Sequence, residues 1–149
     1  MKTFFVTLFI IPMLLFTGCQ VPVPEADQVP PPKDGIFIHI SHGNDDPHRL
    51  LMALRMAELM AEDKDVLIYL DIKGVEAVLA DAEDITFSHF PSSKTQIKKL
   101  LEMGVPVQAC PGCLKVIGKT GDDLMEGVVT ADKEAFFDFT KGRILTIDY

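Results

Sequence analysis

Short apolar runs alternate with amphipathic stretches along the chain. The runs 36–40 (IFIHI) and 65–70 (DVLIYL) are rich in β-branched and aromatic residues, which predicts two buried strands. Residues 85–90 (ITFSHF) predict a weaker third strand, 105–109 (VPVQA) a fourth and 143–147 (RILTI) a fifth. The chain therefore offers five candidate strands for one sheet.

Helical patterns separate these strands. Asp46 is placed to cap a helix that begins at Pro47, because an aspartate cap and a proline in the first turn are both typical of helix starts. A second helix starts near residue 93 and stops at Gly104, and a third follows Pro111. Shorter helical pieces are expected at residues 73–79, 122–126 and 132–139. The alternation predicts an α/β fold with a mainly parallel five-stranded sheet and helices on both faces.

The first residues predict export. Lys2 precedes an apolar run at 4–16, which is shorter than the roughly 20 residues that cross a bilayer and fits the apolar region of a signal peptide. The run ends in FTGC, which looks like the lipobox at which a bacterial signal peptide is removed and the new N-terminal cysteine, Cys19, is acylated. The alternative is an ordinary signal sequence without a lipid. We expect a lipoprotein signal peptide at 1–18.

Proline-rich residues 19–33 predict an extended tether between this anchor and one domain at 34–149. We expect the chain in the cell envelope, held to a membrane by its N-terminal lipid. Gln20 stands where many inner-membrane lipoproteins carry aspartate, so the expected place is the periplasmic face of the outer membrane if the host is Gram-negative.

Charge and glycine content exclude two other kinds of ligand. The formal net charge is −8 and the basic residues are scattered, so we expect no nucleic acid partner. No Gly-x-Gly-x-x-Gly motif occurs, so a dinucleotide site has no support, and we expect no cofactor.

The pair Cys110 and Cys113, in the stretch ACPGCLK, is the clearest chemical signal. A disulfide across so short a loop would stabilise the fold little. Cys110 is predicted at the carboxyl end of a strand and beside a helix start, where backbone N–H groups favour a thiolate, and Cys113 lies one turn further on the same helix face. We interpret Cys110 as a nucleophile and Cys113 as the thiol that resolves a disulfide or persulfide formed on it.

Two alternatives to this thiol site stay open at this point. Two thiolates together with the imidazoles of His42 and His89 would suit a zinc or copper site. In the second alternative the cysteines have no chemical role: they are small apolar residues, and the protein is a non-catalytic oligomeric interaction module.

The loop after the first strand supplies candidate ligand-binding residues, His42, Gly43 and Asn44. His42 would orient an anionic ligand or pair with the Cys110 thiolate, and its alternative is a polar loop residue. His89 is otherwise a surface residue at a strand end. His39 is expected to be structural, and His48 exposed.

Three stretches, taken in order, resemble one known family: HISHGNDDPHRLLMALRMA, LIYLDIKGVEAVL and VPVQACPGCLKVIG, the last with Gly118 eight positions after Cys110. They look like the DsrE/DsrF-like family, to which the sulfur-relay subunit TusD also belongs, and the likeness covers about residues 35–149. The resemblance implies a flavodoxin-like three-layer α/β fold and assembly into homo-oligomers, as trimers or hexamers. In sulfur-relay members a cysteine carries sulfur as a persulfide, and that residue maps onto Cys110.

Two features depart from the relay pattern. Cys113 is extra relative to the single-cysteine relay subunits, and the relay works in the cytoplasm whereas this chain is predicted to be exported. We therefore expect a sulfur-carrier, sulfur-compound-binding or thiol-redox role outside the cytoplasm. The expected partner is a sulfur-containing small molecule or a partner-protein thiol, and whether the protein is an enzyme is left open.

Overall fold

Five parallel strands form one sheet within residues 30–149, the part of the chain that the computed structural model describes. Their bounds are β1 Gly35–Ile40, β2 Asp65–Leu70, β3 Val107–Ala109, β4 Val129–Thr130 and β5 Ile144–Asp148. The spatial order is β4-β3-β2-β1-β5, and each neighbouring pair is parallel. The predicted α/β class is confirmed. The predicted signal peptide, the lipidation residue Cys19 and the tether up to residue 29 lie outside the described residues.

Four α-helices connect these strands within the described range. They are α1 Pro47–Met60, α2 Ser93–Glu102, α3 Pro111–Val116 and α4 Ala135–Asp138, with 3₁₀ turns at Gly74–Val78 and Gly121–Asp123. The Asp46 side chain caps α1 by accepting a hydrogen bond from the Arg49 N–H at 3.2 Å. α2 ends where Gly104 adopts a φ of +79°, which favours glycine. Across residues 30–149 no helix has the length and apolar character needed to span a membrane.

Side chains of the central strands alternate between two faces of the sheet. The covered face packs against apolar residues of α1 and α2 and is entirely apolar; it consists of Ile36, Ile38, Ile40, Val66, Ile68, Leu70, Val107 and Ala109. Leu54 of α1 and Ile97 of α2 are fully buried in the same core. This face is therefore the main hydrophobic core.

The opposite surface, here called the mixed face, carries Phe37, His39, Leu67, Tyr69 and Gln108, which strand register places side by side, and Cys110 follows two residues after Gln108. Phe136 of α4 packs on it, with its ring centroid 5.5 Å from that of Phe37 and 5.1 Å from that of Tyr69. α4 is only four residues long, so this face is covered less completely. Phe37, His39 and Tyr69 remain half-buried there, whereas Gln108 is buried.

One predicted strand is wrong and one observed strand was not predicted. Residues 85–90 form a loop, because Ser88 adopts a left-handed φ of 53° and the Ile85 N–H bonds the Ser93 hydroxyl instead of a strand. The edge of the sheet beside β3 is taken by β4. β4 has two residues, too few to leave a hydrophobic pattern in the sequence.

Three predicted helical pieces are shorter than expected. The segment predicted at 73–79 is the 3₁₀ turn Gly74–Val78, and the segment at 122–126 is reduced to Gly121–Asp123. The segment at 132–139 keeps only Ala135–Asp138. In the second case the side chain of Thr120 and that of Asp123 cap the turn reciprocally, which satisfies its first N–H groups within three residues.

Candidate functional site

Cys110 directly follows β3, at the end of the sheet where the parallel strands have their carboxyl ends. From β1 to β4 the chain steps in one direction across the sheet, and the return from β4 to β5 passes over the other face through α4. The strand order therefore reverses between β1 and β5, and Cys110 lies two strands away from that point, at the carboxyl end of the sheet where sites of open α/β sheets are found. The predicted position of Cys110 at a strand end is confirmed.

The start of α3 holds the two sulfurs one helical turn apart. Cys110 is the N-cap residue, and its Sγ accepts a hydrogen bond from the Cys113 N–H at 3.3 Å. Pro111 occupies the first turn, where its missing N–H is not needed. α3 is six residues long, so individual N–H groups rather than a long helix dipole act on the sulfur. Both cysteines are free thiols in the structure.

The surroundings of Cys110 favour its ionised form. Burial alone would raise the pKa of this thiol, but several donors oppose it and lower the pKa below its ordinary value. The donors are the Tyr69 hydroxyl, the Cys113 thiol and the backbone N–H groups of Cys113 and Gly112. Cys110 is therefore the better nucleophile of the pair near neutral pH.

Cys113 has the opposite character. Burial raises its pKa, and the neighbouring Cys110 raises it further, while the carboxylate of Asp71 adds to this effect. The Ile72 N–H donates to the Cys113 Sγ at 3.3 Å and partly offsets them. Cys113 thus keeps its proton when Cys110 has lost its own, as expected for a nucleophile and a resolving thiol.

The turn after β2 is positioned by a glycine. A Cβ at Gly74 would lie 2.3 Å from the Ile40 carbonyl oxygen, so only glycine lets this turn approach the end of β1 so closely. The same turn carries Asp71 and Ile72, which face the cysteine pair. Close packing of β1 and β2 at their carboxyl ends therefore fixes the groups around Cys113.

Tyr69, Asp71 and His39 were not predicted as site residues. The imidazole of His39 lies between two carboxylates, with Nε2 2.9 Å from Asp71 Oδ2 and Nδ1 2.8 Å from Asp148 Oδ1. Burial would lower the pKa of His39, but these carboxylates outweigh it and raise the pKa. A signal was present in IFIHI and LIYLD, where His39, Tyr69 and Asp71 interrupt the apolar pattern at alternate positions.

The predicted ligand loop lies on the other side of the 3₁₀ turn. His42 bonds Asp45 at 2.8 Å and Arg49 at 3.3 Å, and not the Cys110 thiol. Gly43 packs against the Lys73 carbonyl, 2.6 Å from where its Cβ would lie. Asn44 borders a cavity of about 240 Å³ that is also lined by Glu76 and Ala77.

The four residues of the predicted metal alternative, Cys110, Cys113, His42 and His89, are not brought together. The His89 ring stacks on Phe90, with 4.7 Å between centroids, in the loop that replaced the predicted strand. Within residues 30–149 no group of three or more His, Cys, Asp or Glu side chains is arranged to hold a metal ion. His48 is exposed, as expected, and stacks on Phe87.

Fold and site together describe an α/β protein with a thiol pair at the carboxyl end of an inner strand. Comparison with known proteins supports this fold. The model of the DsrE/DsrF-like family matches residues 34–144, and the chain belongs to this family. No curated protein matches the chain significantly.

Two solved structures show the same fold. The YchN protein from E. coli aligns with a TM-score of 0.57 and 17% identity, covering 77% of this chain and 99% of its own. MTH1491 of Methanobacterium thermoautotrophicum, described as a protein of unknown function, aligns with a TM-score of 0.53 and 23% identity, covering 76% of this chain and 98% of its own. At these identities the likeness concerns the fold, and it confirms the expected flavodoxin-like architecture.

Proposed function

We propose that this chain is an exported, lipid-anchored thiol protein that accepts sulfur on Cys110 and releases it through Cys113. The observation that carries the proposal is the unequal setting of two sulfurs one helical turn apart. Hydrogen bonds lower the pKa of Cys110, whereas burial and the neighbouring thiol raise that of Cys113. Membership of the DsrE/DsrF-like family supports sulfur chemistry as the role of this site.

Two exchange steps describe the chemistry. The Cys110 thiolate attacks the outer sulfur of a persulfide R–S–SH, so that a new S–S bond forms on Cys110 and R–S⁻ leaves and takes up a proton. A disulfide reacts in the same way and leaves a mixed disulfide on Cys110. Cys113 then loses its proton and attacks Cys110 Sγ, which forms the Cys110–Cys113 disulfide and displaces hydrosulfide or thiolate.

The second step transfers two electrons from the cysteine pair to the accepted sulfur. Thiols of a partner protein restore the pair and are themselves oxidised to a disulfide. The partners that we propose are therefore a sulfur-containing small molecule and a protein thiol. Asn44, together with its neighbours His42 and Gly43, remains a proposed ligand-binding position. The cavity that Asn44 lines and the cavity beside Cys113 share Glu76 of the 3₁₀ turn.

The proposed setting is the cell envelope, with acylated Cys19 in the membrane and residues 19–33 as the tether. FTGC and the preceding apolar run support this location. We also propose a homo-oligomer, a trimer or a hexamer. Exposed apolar side chains on both edge strands support it: Val129 on β4, and Ile144 and Leu145 on β5.

Intact mass spectrometry tests the proposal directly. The reduced full chain is incubated with inorganic polysulfide, and the products are measured before and after digestion. We expect Cys113→Ser to retain one added sulfur on Cys110, because the resolving thiol is missing. The unsubstituted chain proceeds to the Cys110–Cys113 disulfide, and Cys110→Ser takes up no sulfur.

Equal sulfur uptake by Cys110→Ser and Cys113→Ser would show that the two thiols have no separate roles and would contradict the proposal. The same measurement on protein taken from its native membrane tests the anchor. The expected result is an acylated N-terminal Cys19, and a mature chain without a lipid would contradict that part.

A further inference from the structure

An open cavity of about 300 Å³ adjoins the thiol pair on the side of Cys113. Its walls are Ile72, Cys113, Val116 and Ile117, with Lys73 and Glu76 at the rim. Ile72 is 62% exposed and Val116 is 86% exposed, so these apolar side chains face solvent and contribute little to the stability of the fold. The cavity is thus an apolar surface with a sulfur atom in its wall.

The backbone of this wall is strained. Ile72 has a φ of 44°, in the left-handed region that β-branched residues rarely adopt. The strained residue points its N–H at the Cys113 sulfur, at 3.3 Å, and leaves its side chain in the cavity wall. Strain of this kind persists where surrounding structure enforces it, and it is concentrated at ligand sites.

Charge at the rim is already balanced. Lys73 Nζ lies 2.9 Å from Glu76 Oε1, so the two charges neutralise each other across one turn. An occupant with a net charge would find no free counter-ion in this wall. An uncharged, apolar occupant fits it best, and a sulfur atom on such an occupant would lie next to the two thiols.

We propose that this cavity binds the apolar organic group of a small sulfur compound, an alkyl or aryl disulfide or persulfide, while its sulfur reacts at Cys110. The inference rests on the proposed function and names its substrate class. The Cys113 N–H donates to the Cys110 Sγ at 3.3 Å and Cys113 itself lines the cavity, so a group attached to Cys110 Sγ has only Cys113 to pass before it reaches Ile72 and Val116. When the substrate is a disulfide, R–S stays on Cys110 and Cys113 displaces it as R–SH on closing the Cys110–Cys113 disulfide. When it is a persulfide, the cavity holds R until R–S⁻ leaves in the first step, and Cys113 then displaces hydrosulfide.

Two uncharged methanethiosulfonates that differ in apolar surface provide the test. Benzyl and 2-hydroxyethyl methanethiosulfonate each transfer R–S to a thiolate, forming the mixed disulfide and releasing methanesulfinate. Rates on the full chain are measured by quenching and mass spectrometry and are divided by the rate of free cysteine with the same reagent. We expect the normalised rate for the benzyl reagent to exceed that for the hydroxyethyl reagent by about tenfold, since an apolar pocket favours the larger apolar group.

Matched substitutions show whether the preference for the benzyl reagent arises in the cavity. Val116→Ser is expected to lower the ratio of the benzyl rate to the hydroxyethyl rate by about threefold, because apolar contact is lost. Ile72→Asn should lower this ratio by a similar factor, since asparagine tolerates the left-handed backbone. Val129→Ser makes the same change at another exposed valine outside the cavity and leaves the preference unaltered.

The outcomes separate the inference from the function on which it rests. If both reagents react faster than with free cysteine but show no apolar preference, the substrate class is overturned and the thiol function stands. If neither reagent reacts faster than with free cysteine, both are overturned. A preference that Val129→Ser removes and Val116→Ser keeps would also overturn the inference, because the apolar contact would lie elsewhere.

Discussion

The covered face and the mixed face belong to the same strands, yet their side chains differ in kind. Ile36, Ile38 and Ile40 point to one side of β1 and are almost completely buried. Phe37 and His39 point to the other side and are half-buried. One strand therefore contributes apolar residues to the core and a histidine to the neighbourhood of the thiol site.

This difference separates stability from chemistry. The covered face removes apolar surface from water, which is the main favourable contribution to folding. The mixed face keeps polar groups in partly dry surroundings, where hydrogen bonds and charges shift pKa values. Tyr69 and His39 belong to strands of the core sheet, yet their side chains cause or undergo pKa changes on the mixed face. The Tyr69 hydroxyl lowers the pKa of Cys110, and the carboxylates of Asp71 and Asp148 raise the pKa of His39.

The largest expected effect is on the covered face. Ile38 is fully buried in β1, between β2 and β5. Ile38→Ala is expected to lower the free energy of unfolding by about 3 kcal/mol, because it leaves a cavity in the core. The pKa of Cys110 is expected to stay unchanged in the folded variant. Denaturant unfolding and alkylation rates check both statements, and a shifted thiol pKa without loss of stability would contradict the separation.

A smaller effect on stability, with a large effect on chemistry, is expected for Tyr69→Phe. The variant keeps the ring against Phe136 but removes the hydroxyl that interacts with Cys110. The free energy of unfolding should fall by about 1 kcal/mol or less, the worth of one hydrogen bond. The pKa of Cys110 should rise, which slows its alkylation at neutral pH.

Tyr149→Phe is the matched control for that substitution, since the chain has two tyrosines. It should leave the alkylation rate of Cys110 as it is. Equal rates for Tyr69→Phe and the unsubstituted chain would show that the hydroxyl does not support the thiolate.

The smallest expected effect depends on pH and involves His39. The pKa of His39 is raised by Asp71 and Asp148, so the imidazolium contributes stability that is fully present below its ordinary pKa of about 6.5 and is lost as pH rises through the raised value. His39→Gln should therefore destabilise the protein most at mildly acidic pH and least at alkaline pH. Thermal unfolding over a pH series measures this difference.

His48→Gln serves as its control, because the ring of His48 contacts Phe87 and Phe90 rather than carboxylates. A difference between the His39 variant and the unsubstituted chain that grows with pH would have the wrong sign for this account.

Local patterns predicted much of the fold. The cap at Asp46, the stop at Gly104 and the strand before Cys110 all depend on neighbours in the sequence, and each is present. The segment 85–90 has strand-like composition, but the left-handed Ser88 and the following Pro91 turn it into a loop. β4 could not be predicted, because two residues gain strand geometry only by pairing with β3.

The site was only partly predictable for a related reason. Cys110 and Cys113 are only three positions apart in the sequence and keep their predicted relation to β3 and α3. The contact of Cys110 with Tyr69 depends on β2 pairing with β3, and strand order is not contained in the local pattern. The same dependence made His42 look like a partner of Cys110, although Asp45 and Arg49 bind it instead.

The pH dependence of alkylation at the two cysteines tests the central claim most directly. The full chain is reacted with iodoacetamide over a pH series, and modification at each cysteine is quantified by mass spectrometry. The account predicts that Cys110 becomes reactive at a pH below the ordinary thiol pKa of about 8.5 and well before Cys113. Reaction of Cys110 only at or above that pH, or reaction of Cys113 first, would contradict it.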